Sequence, residues 1–203
     1  MSDDPAPPLD PGTDWLAAAP ASRPRLVFFR GAWCPFCQAY LRELNGEFLQ
    51  KVRAAGGELI GVTSQSAGAV ASFAGDQGLA YRIVSEPANQ LAKAHRVAIT
   101  PKAETPLAEV PGEYVEGMAQ PAVVAFDGAG RELFHWAIDP STMNLGGASD
   151  RPLPADIWPV LGAALAGETK ALEGTTKLDP GYLAAHYPEQ HAAFQAWVAA
   201  SQG

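Results

Sequence analysis

The sequence predicts an α/β fold in which a mixed central sheet is flanked by helices on both faces. Three segments typical of buried strands are each followed by a helical pattern, and such units form parallel strands with right-handed crossovers. A β-hairpin follows them and adds an antiparallel pair. The chain has 203 residues, of which 47% are hydrophobic. This is enough to build a sizeable core in one domain with embellishments.

The first β–α unit combines a nearly unbroken apolar strand with a long helix. The strand is predicted over residues 25–30, and its apolar character is typical of a central strand that is buried on both faces. After Cys34, apolar residues recur at helical spacing as far as Val52. Two glycines at residues 56–57 indicate where this helix ends. We therefore expect one continuous helix between Cys34 and these glycines.

The next two β–α units are shorter. Either Ser64 or Ser66 is placed to cap the first of their helices, because a serine side chain accepts a hydrogen bond from the first helical turn. The predicted bounds are residues 58–63 for the second strand, up to about 76 for its helix, 81–84 for the third strand and about 88–96 for the last helix.

The hairpin lies between two long segments that have no clear period. Its strands are predicted over residues 121–126 and 132–137. The flanking segments are residues 97–120 and 139–153, and loops of this length are usually functional or insertions. Helices are then predicted over residues 154–166, 180–187 and 188–200. We divide the chain into a tail with a short helix (1–20), one α/β domain (21–168) and a C-terminal helical extension (169–203).

The charge balance narrows the range of partners. The formal net charge is −8, whereas nucleic acids and anionic membrane surfaces attract basic patches. No window approaches the roughly 18 to 20 consecutive apolar residues of a membrane span. The acidic, proline-rich start lacks the basic and apolar regions of a signal peptide. We therefore expect a cytoplasmic protein that binds neither nucleic acid nor membrane.

The two cysteines of the chain, Cys34 and Cys37, lie where the first strand is expected to pass into the first helix. A thiol at a helix N-terminus is favoured as thiolate, which is the reactive form. Cys37 follows one turn later, within reach of a disulfide with Cys34. Pro35 suits the first helical turn because its missing N–H leaves no donor unpaired. This pattern predicts a redox dithiol in which Cys34 is the exposed nucleophile of low pKa.

Other interpretations of these residues stay open. A zinc site needs four ligands, and the chain has no second cysteine pair. The two thiols can also form an inert buried pair. Arg30 is either a solvated charge at a strand end or a cation that lowers the pKa of the thiolate. Trp33 either packs in the core or shields the sulfur. Pro121 is either a proline tolerated at a strand start or a cis-proline that faces the dithiol.

These features together resemble a known fold and family. A strand, the sequence Trp33-Cys34-Pro35-Phe36-Cys37 at a helix start and a late proline before a hairpin resemble the thioredoxin fold. Residues 28–37, 83–87 and 121–130 are similar to the peroxiredoxin-like branch of the alkyl hydroperoxide reductase/thiol-specific antioxidant (AhpC/TSA) family. The resemblance covers roughly residues 25–165.

The resemblance implies an antioxidant, thiol-dependent redox enzyme that needs no metal or other cofactor. Cys34 would be the attacking cysteine, Cys37 the resolving one and Pro121 a cis-proline beside them. The substrate would be a hydroperoxide or a disulfide. The Cys34–Cys37 disulfide would be reduced by a thiol donor of thioredoxin, glutaredoxin or glutathione type. Apart from the resemblance, a non-catalytic redox-sensing or binding module that uses the two long loops stays open as an alternative function. The C-terminal helices would then offer a surface for a partner or for a homodimer.

Two positions depart from the family pattern. Gly31 stands where peroxiredoxins place a threonine or serine that binds the peroxide. Pro121 stands six residues before Asp127, where they place an arginine. Arg30 and Arg151 are the candidates to replace that missing cation.

Overall fold

The computed structural model describes residues 23–201. It contains both long strands and strands of only two residues. The strands are β1 (Arg23–Phe28), β2 (Gly57–Thr63), β3 (Arg82–Ser85), β4 (Ile99–Thr100), β5 (Met118–Ala119), β6 (Ala122–Phe126), β7 (Glu132–Ala137), β8 (Arg151–Pro152) and β9 (Lys177–Leu178). The tail and short helix expected over residues 1–20 lie outside the described residues.

The central sheet has five strands in the order β3-β2-β1-β6-β7. Strands β1, β2 and β3 are parallel, and β6 and β7 run antiparallel. Val27 of β1 lies opposite Gly61 of β2 on one side and Val123 of β6 on the other. The predicted mixed sheet, with the first strand at its centre, is confirmed.

The first helix is interrupted, so the expectation of one continuous helix is wrong. The helices are α1 (Pro35–Glu43), α2 (Leu49–Ala54), α3 (Ala67–Asp76), α4 (Gln90–Ala94), α5 (Pro154–Leu165), α6 (Pro180–His186) and α7 (Pro188–Ser201). A π-helical segment, Leu44–Phe48, joins α1 to α2. Gly46 within it has non-helical dihedral angles of φ −85° and ψ −131°, a conformation that glycine adopts at little cost. None of the described helices is long and apolar enough to cross a membrane.

The core is divided between the two faces of the sheet. The larger cluster contains both cysteines together with fully buried residues of α1, α5 and α6, among them Leu41, Leu161 and Leu183. The smaller cluster lies around Ile60, Val62 and Val124. The cysteines are therefore part of the main core.

Two small antiparallel ladders give structure to the long segments that had no period. Strand β4 pairs with β5, and β8 pairs with β9. We name residues 101–117, which lie between β4 and β5, the covering segment. The C-terminal helices are confirmed at α6 and α7, but the same region also supplies β9, which the sequence did not predict.

Candidate active site

Cys34 lies where the sequence predicts it, at the start of α1. It is the N-cap residue, with φ −81° and ψ 115°, and Pro35 occupies the first turn. The Cys34 backbone N–H donates to the Gly31 carbonyl (3.2 Å), and the Gln38 N–H donates to the Cys34 carbonyl (3.0 Å). Strand β1 ends at Phe28, earlier than expected, so residues 29–33 form the connection that presents Cys34 to the helix.

Both thiols are free and buried, so the expectation of an exposed Cys34 is wrong. Cys34 is 1% exposed and Cys37 is 0% exposed. Both belong to the main core cluster, where Tyr40 and Leu41 of α1 are also buried. The thiols therefore react only where an oxidant can enter this part of the core.

Arg151 is the cation beside the two sulfurs. Its side chain is fully buried, and its Nη2 lies 3.2 Å from Cys37 Sγ and 3.9 Å from Cys34 Sγ. Its Nε donates to the Ala148 carbonyl at 3.0 Å. Its Nη1 is buried without a hydrogen-bond partner among the described residues. A buried guanidinium is costly unless it is paired, so this arrangement favours a negative charge on the thiol pair.

The pKa values of the two thiols are shifted in opposite directions. Burial, the hydrogen bond to Cys37 and the charge there raise the pKa of Cys34 well above its ordinary value. Burial opposes ionisation of Cys37 as well. However, the hydrogen bond from Cys34 and the Arg151 guanidinium lower the pKa of Cys37 well below its ordinary value. The directions of the two shifts favour the thiolate at Cys37 over Cys34, which differs from the low pKa expected at Cys34.

Arg30 and Trp33, which precede Cys34 in the chain, contact each other. The Arg30 guanidinium carbon is 5.4 Å from the centroid of the Trp33 ring. Its charge also lowers the pKa of both cysteines, as a smaller contribution than that of Arg151. Trp33 is half-buried, and its Nε1 donates to the Tyr114 hydroxyl at 2.6 Å. Of the two candidate cations, Arg151 is the one that contacts the sulfurs.

Gly31 lies next to the Tyr114 hydroxyl. A Cβ atom at residue 31 would overlap that hydroxyl and would come within 2.6 Å of Gln65 Oε1. The Tyr114 hydroxyl donates to the Arg30 carbonyl at 2.5 Å. The position therefore requires glycine because two polar groups from other segments fill the space of a side chain.

Pro121 immediately precedes β6, and its peptide bond to Gln120 is trans. None of the peptide bonds in the described residues is cis, so the expectation of a cis-proline is wrong. The Gln120 N–H donates to the Ala98 carbonyl (2.8 Å), and the Ile138 N–H donates to the Pro121 carbonyl (3.0 Å). These bonds continue the strand pairing on both sides of the Gln120–Pro121 bond.

Sequence reasoning missed the residues of the covering segment, chiefly Glu113 and Tyr114. The Glu113 carboxylate accepts hydrogen bonds from Ser66 Oγ (2.5 Å), Ser66 N (3.4 Å) and Gln65 Nε2 (3.2 Å). Gln65 Oε1 in turn accepts from the Ala32 N–H at 2.6 Å. An aromatic residue between Gly112 and Gly117 in a long loop was the available signal.

Comparison with known proteins gives the family. The model of the AhpC/TSA family matches residues 17–131, more than half of the chain. The chain belongs to the AhpC/TSA family. The resemblance drawn from the sequence is confirmed, and the family and fold support a thiol-dependent, peroxidase-like redox function. No match was found among curated proteins.

Solved structures show the same peroxiredoxin fold. The bacterioferritin comigratory protein of Xanthomonas campestris is 17% identical, with a TM-score of 0.53 over 76% of this chain and 84% of that one. A mutant of PrxQ from Xylella fastidiosa is 19% identical, with a TM-score of 0.53 over 75% and 81% of the two chains. AhpC from Enterococcus faecalis is 17% identical, with a TM-score of 0.54 over 74% and 81%.

In this AhpC/TSA protein, the C-terminal region supports the arginine. Arg151 pairs with Leu178, and Pro152 pairs with Lys177. The Asp150 N–H donates to the Leu178 carbonyl at 3.0 Å, and the Leu178 side chain is fully buried. The same region covers α1, because the rings of Phe36 and Phe194 meet edge to face at 5.1 Å. Residues far apart in the sequence therefore complete the surroundings of the dithiol.

Proposed function

We propose that this AhpC/TSA protein reduces hydroperoxides with Cys34 and Cys37 through a Cys34–Cys37 disulfide. The observation that carries the proposal is the buried Arg151 guanidinium, which contacts both sulfurs and retains an N–H group without a partner. The similar Xanthomonas campestris protein is described as having alkyl peroxide reduction activity. Family membership supports the same reaction class here.

The first half of the reaction consumes the peroxide. The pair begins with one proton and one negative charge, held between the sulfurs beside Arg151. As Cys34 attacks the terminal oxygen of the hydroperoxide, its proton passes to Cys37. The O–O bond breaks and Cys34 becomes a sulfenic acid. The alkoxide that leaves takes the proton from Cys37 and departs as an alcohol.

The second half forms the disulfide. The Cys37 thiolate attacks the Cys34 sulfur, an S–S bond forms and the S–O bond breaks. The hydroxide that leaves takes a proton from solvent and becomes water. In sum, the hydroperoxide and two thiols yield an alcohol, water and one disulfide. No further oxidant is needed.

Arg151 supplies the electrostatic stabilisation. Its charge holds the thiolate in a buried site, and its free Nη1 is a donor for the oxygen that gains charge as the O–O bond breaks. Arg30 strengthens the field from beside Trp33. Pro35 begins the helix that holds the two cysteines one turn apart. In this proposal Gly31 and Pro121 shape the site and do not bind the peroxide.

An external thiol completes the cycle. A donor of thioredoxin, glutaredoxin or glutathione type attacks the disulfide, and a second thiol equivalent releases the reduced protein. Such a cycle suits the reducing cytoplasm, which is the location that we propose. Formation of a homodimer stays a prediction.

The second candidate is a thiol–disulfide oxidoreductase that does not act on peroxide. It is favoured by the lowered pKa of Cys37, which keeps a thiolate within the Cys34-Pro35-Phe36-Cys37 motif. A thiolate is also the species that attacks a disulfide in thiol–disulfide exchange. In that case a disulfide of a protein or a small thiol would be the oxidant. The burial of both sulfurs favours the smaller substrate.

Stopped-flow kinetics separates the two candidates. Reduced protein is mixed with hydrogen peroxide or with oxidised glutathione, and the products are identified by mass spectrometry. We expect rapid loss of both thiols to peroxide with formation of one disulfide. In Cys37→Ser we expect the reaction to stop at a sulfenic acid that dimedone traps, whereas Cys34→Ser forms none. Slow peroxide reaction with rapid glutathione exchange would instead establish the second candidate.

A further inference from the structure

The covering segment is attached to the active-site connection by one buried side chain. Val110 and Val115 of this segment are 41% and 58% exposed, whereas Tyr114 is fully buried. The Tyr114 backbone has φ +47°, in the left-handed region that is unfavourable for a bulky side chain. A surface segment therefore adopts a strained conformation at the residue whose ring points inward.

The Tyr114 hydroxyl contacts the residues that immediately precede Cys34. It accepts from Trp33 Nε1 and donates to the Arg30 carbonyl, at 2.6 Å and 2.5 Å. Gly31 leaves the space that the hydroxyl occupies. The charges of both cysteines also contribute to raising the pKa of Tyr114, after burial as the main cause. The Tyr114 hydroxyl therefore lies against the connection that leads into Cys34.

The remaining attachments of the covering segment are polar. Glu113 is held by Ser66 and Gln65, and Asn89 Nδ2 donates to the carbonyls of Glu116 (3.0 Å) and Gly117 (2.9 Å). Segments held mainly by hydrogen bonds, with few buried apolar contacts, open at lower free energy than the whole fold. Residues 101–117 can thus separate from the site while the central sheet stays intact.

We propose that Tyr114 is a specificity-determining residue that holds the covering segment closed over Cys34, so that small oxidants enter and bulky disulfides are excluded until the segment opens. The inference rests on the proposed thiol chemistry for its biological meaning. A hydroperoxide needs only a narrow path to the sulfur. A disulfide in a protein needs the Cys34 sulfur to be presented at the surface, as does a protein that reduces the Cys34–Cys37 disulfide.

Alkylation with reagents of two sizes tests the proposal without relying on peroxide chemistry. Iodoacetamide is the small reagent and fluorescein maleimide is the bulky one, with modification of each cysteine followed by mass spectrometry. Tyr114→Phe removes both hydroxyl hydrogen bonds, and we expect the bulky reagent to react about tenfold faster relative to the small one. The ratio of the two rates cancels a change in thiol pKa, because both reagents consume thiolate.

Matched variants make the test specific. Tyr182→Phe also removes a hydroxyl hydrogen bond, to Glu43 at 2.7 Å, but it lies outside the covering segment. We expect its ratio to equal that of the wild type. Tyr114→Ala should raise the ratio further, while urea unfolding identifies any general loss of stability. Equal ratios in wild type, Tyr114→Phe and Tyr114→Ala would overturn the proposal, as would failure of every variant to react with the bulky reagent.

Two outcomes distinguish this proposal from the proposed function. If peroxide reduction fails but the alkylation ratio rises in Tyr114→Phe, the covering segment controls access and the reaction assignment is wrong. If peroxide reduction depends on Cys34 but the ratio does not change, the reaction assignment stands and Tyr114 does not sort oxidants by size.

Discussion

The covering segment and the segment of residues 139–153 reach the same dithiol by different means. The covering segment approaches from the surface and is held by side-chain hydrogen bonds of Tyr114 and Glu113. Residues 139–153 end in β8, whose backbone pairs with β9 and whose Arg151 side chain is fully buried. One segment therefore contributes contacts that can break locally, and the other contributes a charge fixed in the core.

Because of this difference, one segment affects the reactivity of the thiols and the other affects the access of reagents to them. Arg151 favours a negative charge on the thiol pair, and the segment that carries it includes the buried Leu153, while its partner strand carries the buried Leu178. The covering segment lies over Trp33 and Gly31, which precede the nucleophile in the chain. We expect variants of the first region to change the chemistry or the global stability. Variants of the second should change local opening.

The largest effect is expected for Arg151→Met. Loss of the cation raises the pKa of the charged thiol and removes the donor for the developing oxygen. The rate with peroxide near neutral pH should fall roughly a hundredfold to a thousandfold. The rate should also rise with pH over a more alkaline range than in wild type, because the thiolate now forms at higher pH. Stopped-flow rates measured against pH provide the test.

Arg151→Lys is the matched control for that variant. Lysine keeps the charge but lacks the planar guanidinium that contacts sulfur and presents a second N–H. We expect it to restore part of the thiolate and little of the stabilisation of the leaving oxygen. A pH profile that is unchanged in Arg151→Met would show that the guanidinium does not control thiol ionisation.

Leu178→Ala should have the next largest effect, on global stability. Leu178 is fully buried behind β8, so its truncation should cost about 2–5 kcal/mol of unfolding free energy. Leu107→Ala, at a half-buried position of the covering segment, should cost less than about 1 kcal/mol. Urea titrations compare the two, and similar losses would contradict the contrast between the segments.

Gly31→Ala should lower the unfolding free energy by a smaller amount, and a second substitution at Tyr114 should restore part of the loss. The added Cβ overlaps the Tyr114 hydroxyl, and overpacking of this kind costs about 1–3 kcal/mol. The double variant Gly31→Ala/Tyr114→Phe should recover part of that loss, since the overlapping oxygen is absent. A double-mutant cycle measured by urea unfolding gives the coupling. Purely additive losses would mean that the two groups do not share this space.

The smallest effect is expected for Glu113→Gln. The amide keeps one acceptor oxygen for the Ser66 and Gln65 donors, so opening of the covering segment should become easier by about 1 kcal/mol. Hydrogen exchange of amides in residues 102–117 should accelerate, while exchange in β1 and β6 should not change. Acceleration throughout the sheet would instead indicate global destabilisation.

The sequence was informative where periodicity and local chemistry agree. The apolar strand at residues 25–30 and the placement of Cys34 before a proline at a helix start follow from local patterns, and both correspond to the structure apart from the earlier end of β1. The hairpin of β6 and β7 was predicted equally well, because its turn residues lie between two apolar runs. Family resemblance then gave the fold.

The surroundings of the dithiol depended on contacts between distant residues. Arg151 was only one of two candidate cations, since no pattern links it to Cys37 across 114 positions. Tyr114 and Glu113 lie in a segment without period, and Gly46 interrupts a helix whose apolar spacing continues past it. The pKa order of Cys34 and Cys37 depends on burial and on the guanidinium position, and neither can be read from the motif alone.

The pairing of β8 with β9 has a consequence for biosynthesis. Arg151 is held by residues 177–178, so a growing chain that ends before them contains both thiols but lacks the strand that positions their counter-ion. The motif that begins at Cys34 is made early, whereas its electrostatic setting depends on a segment made late. A nascent or truncated chain therefore carries its cysteines before it can control their charge.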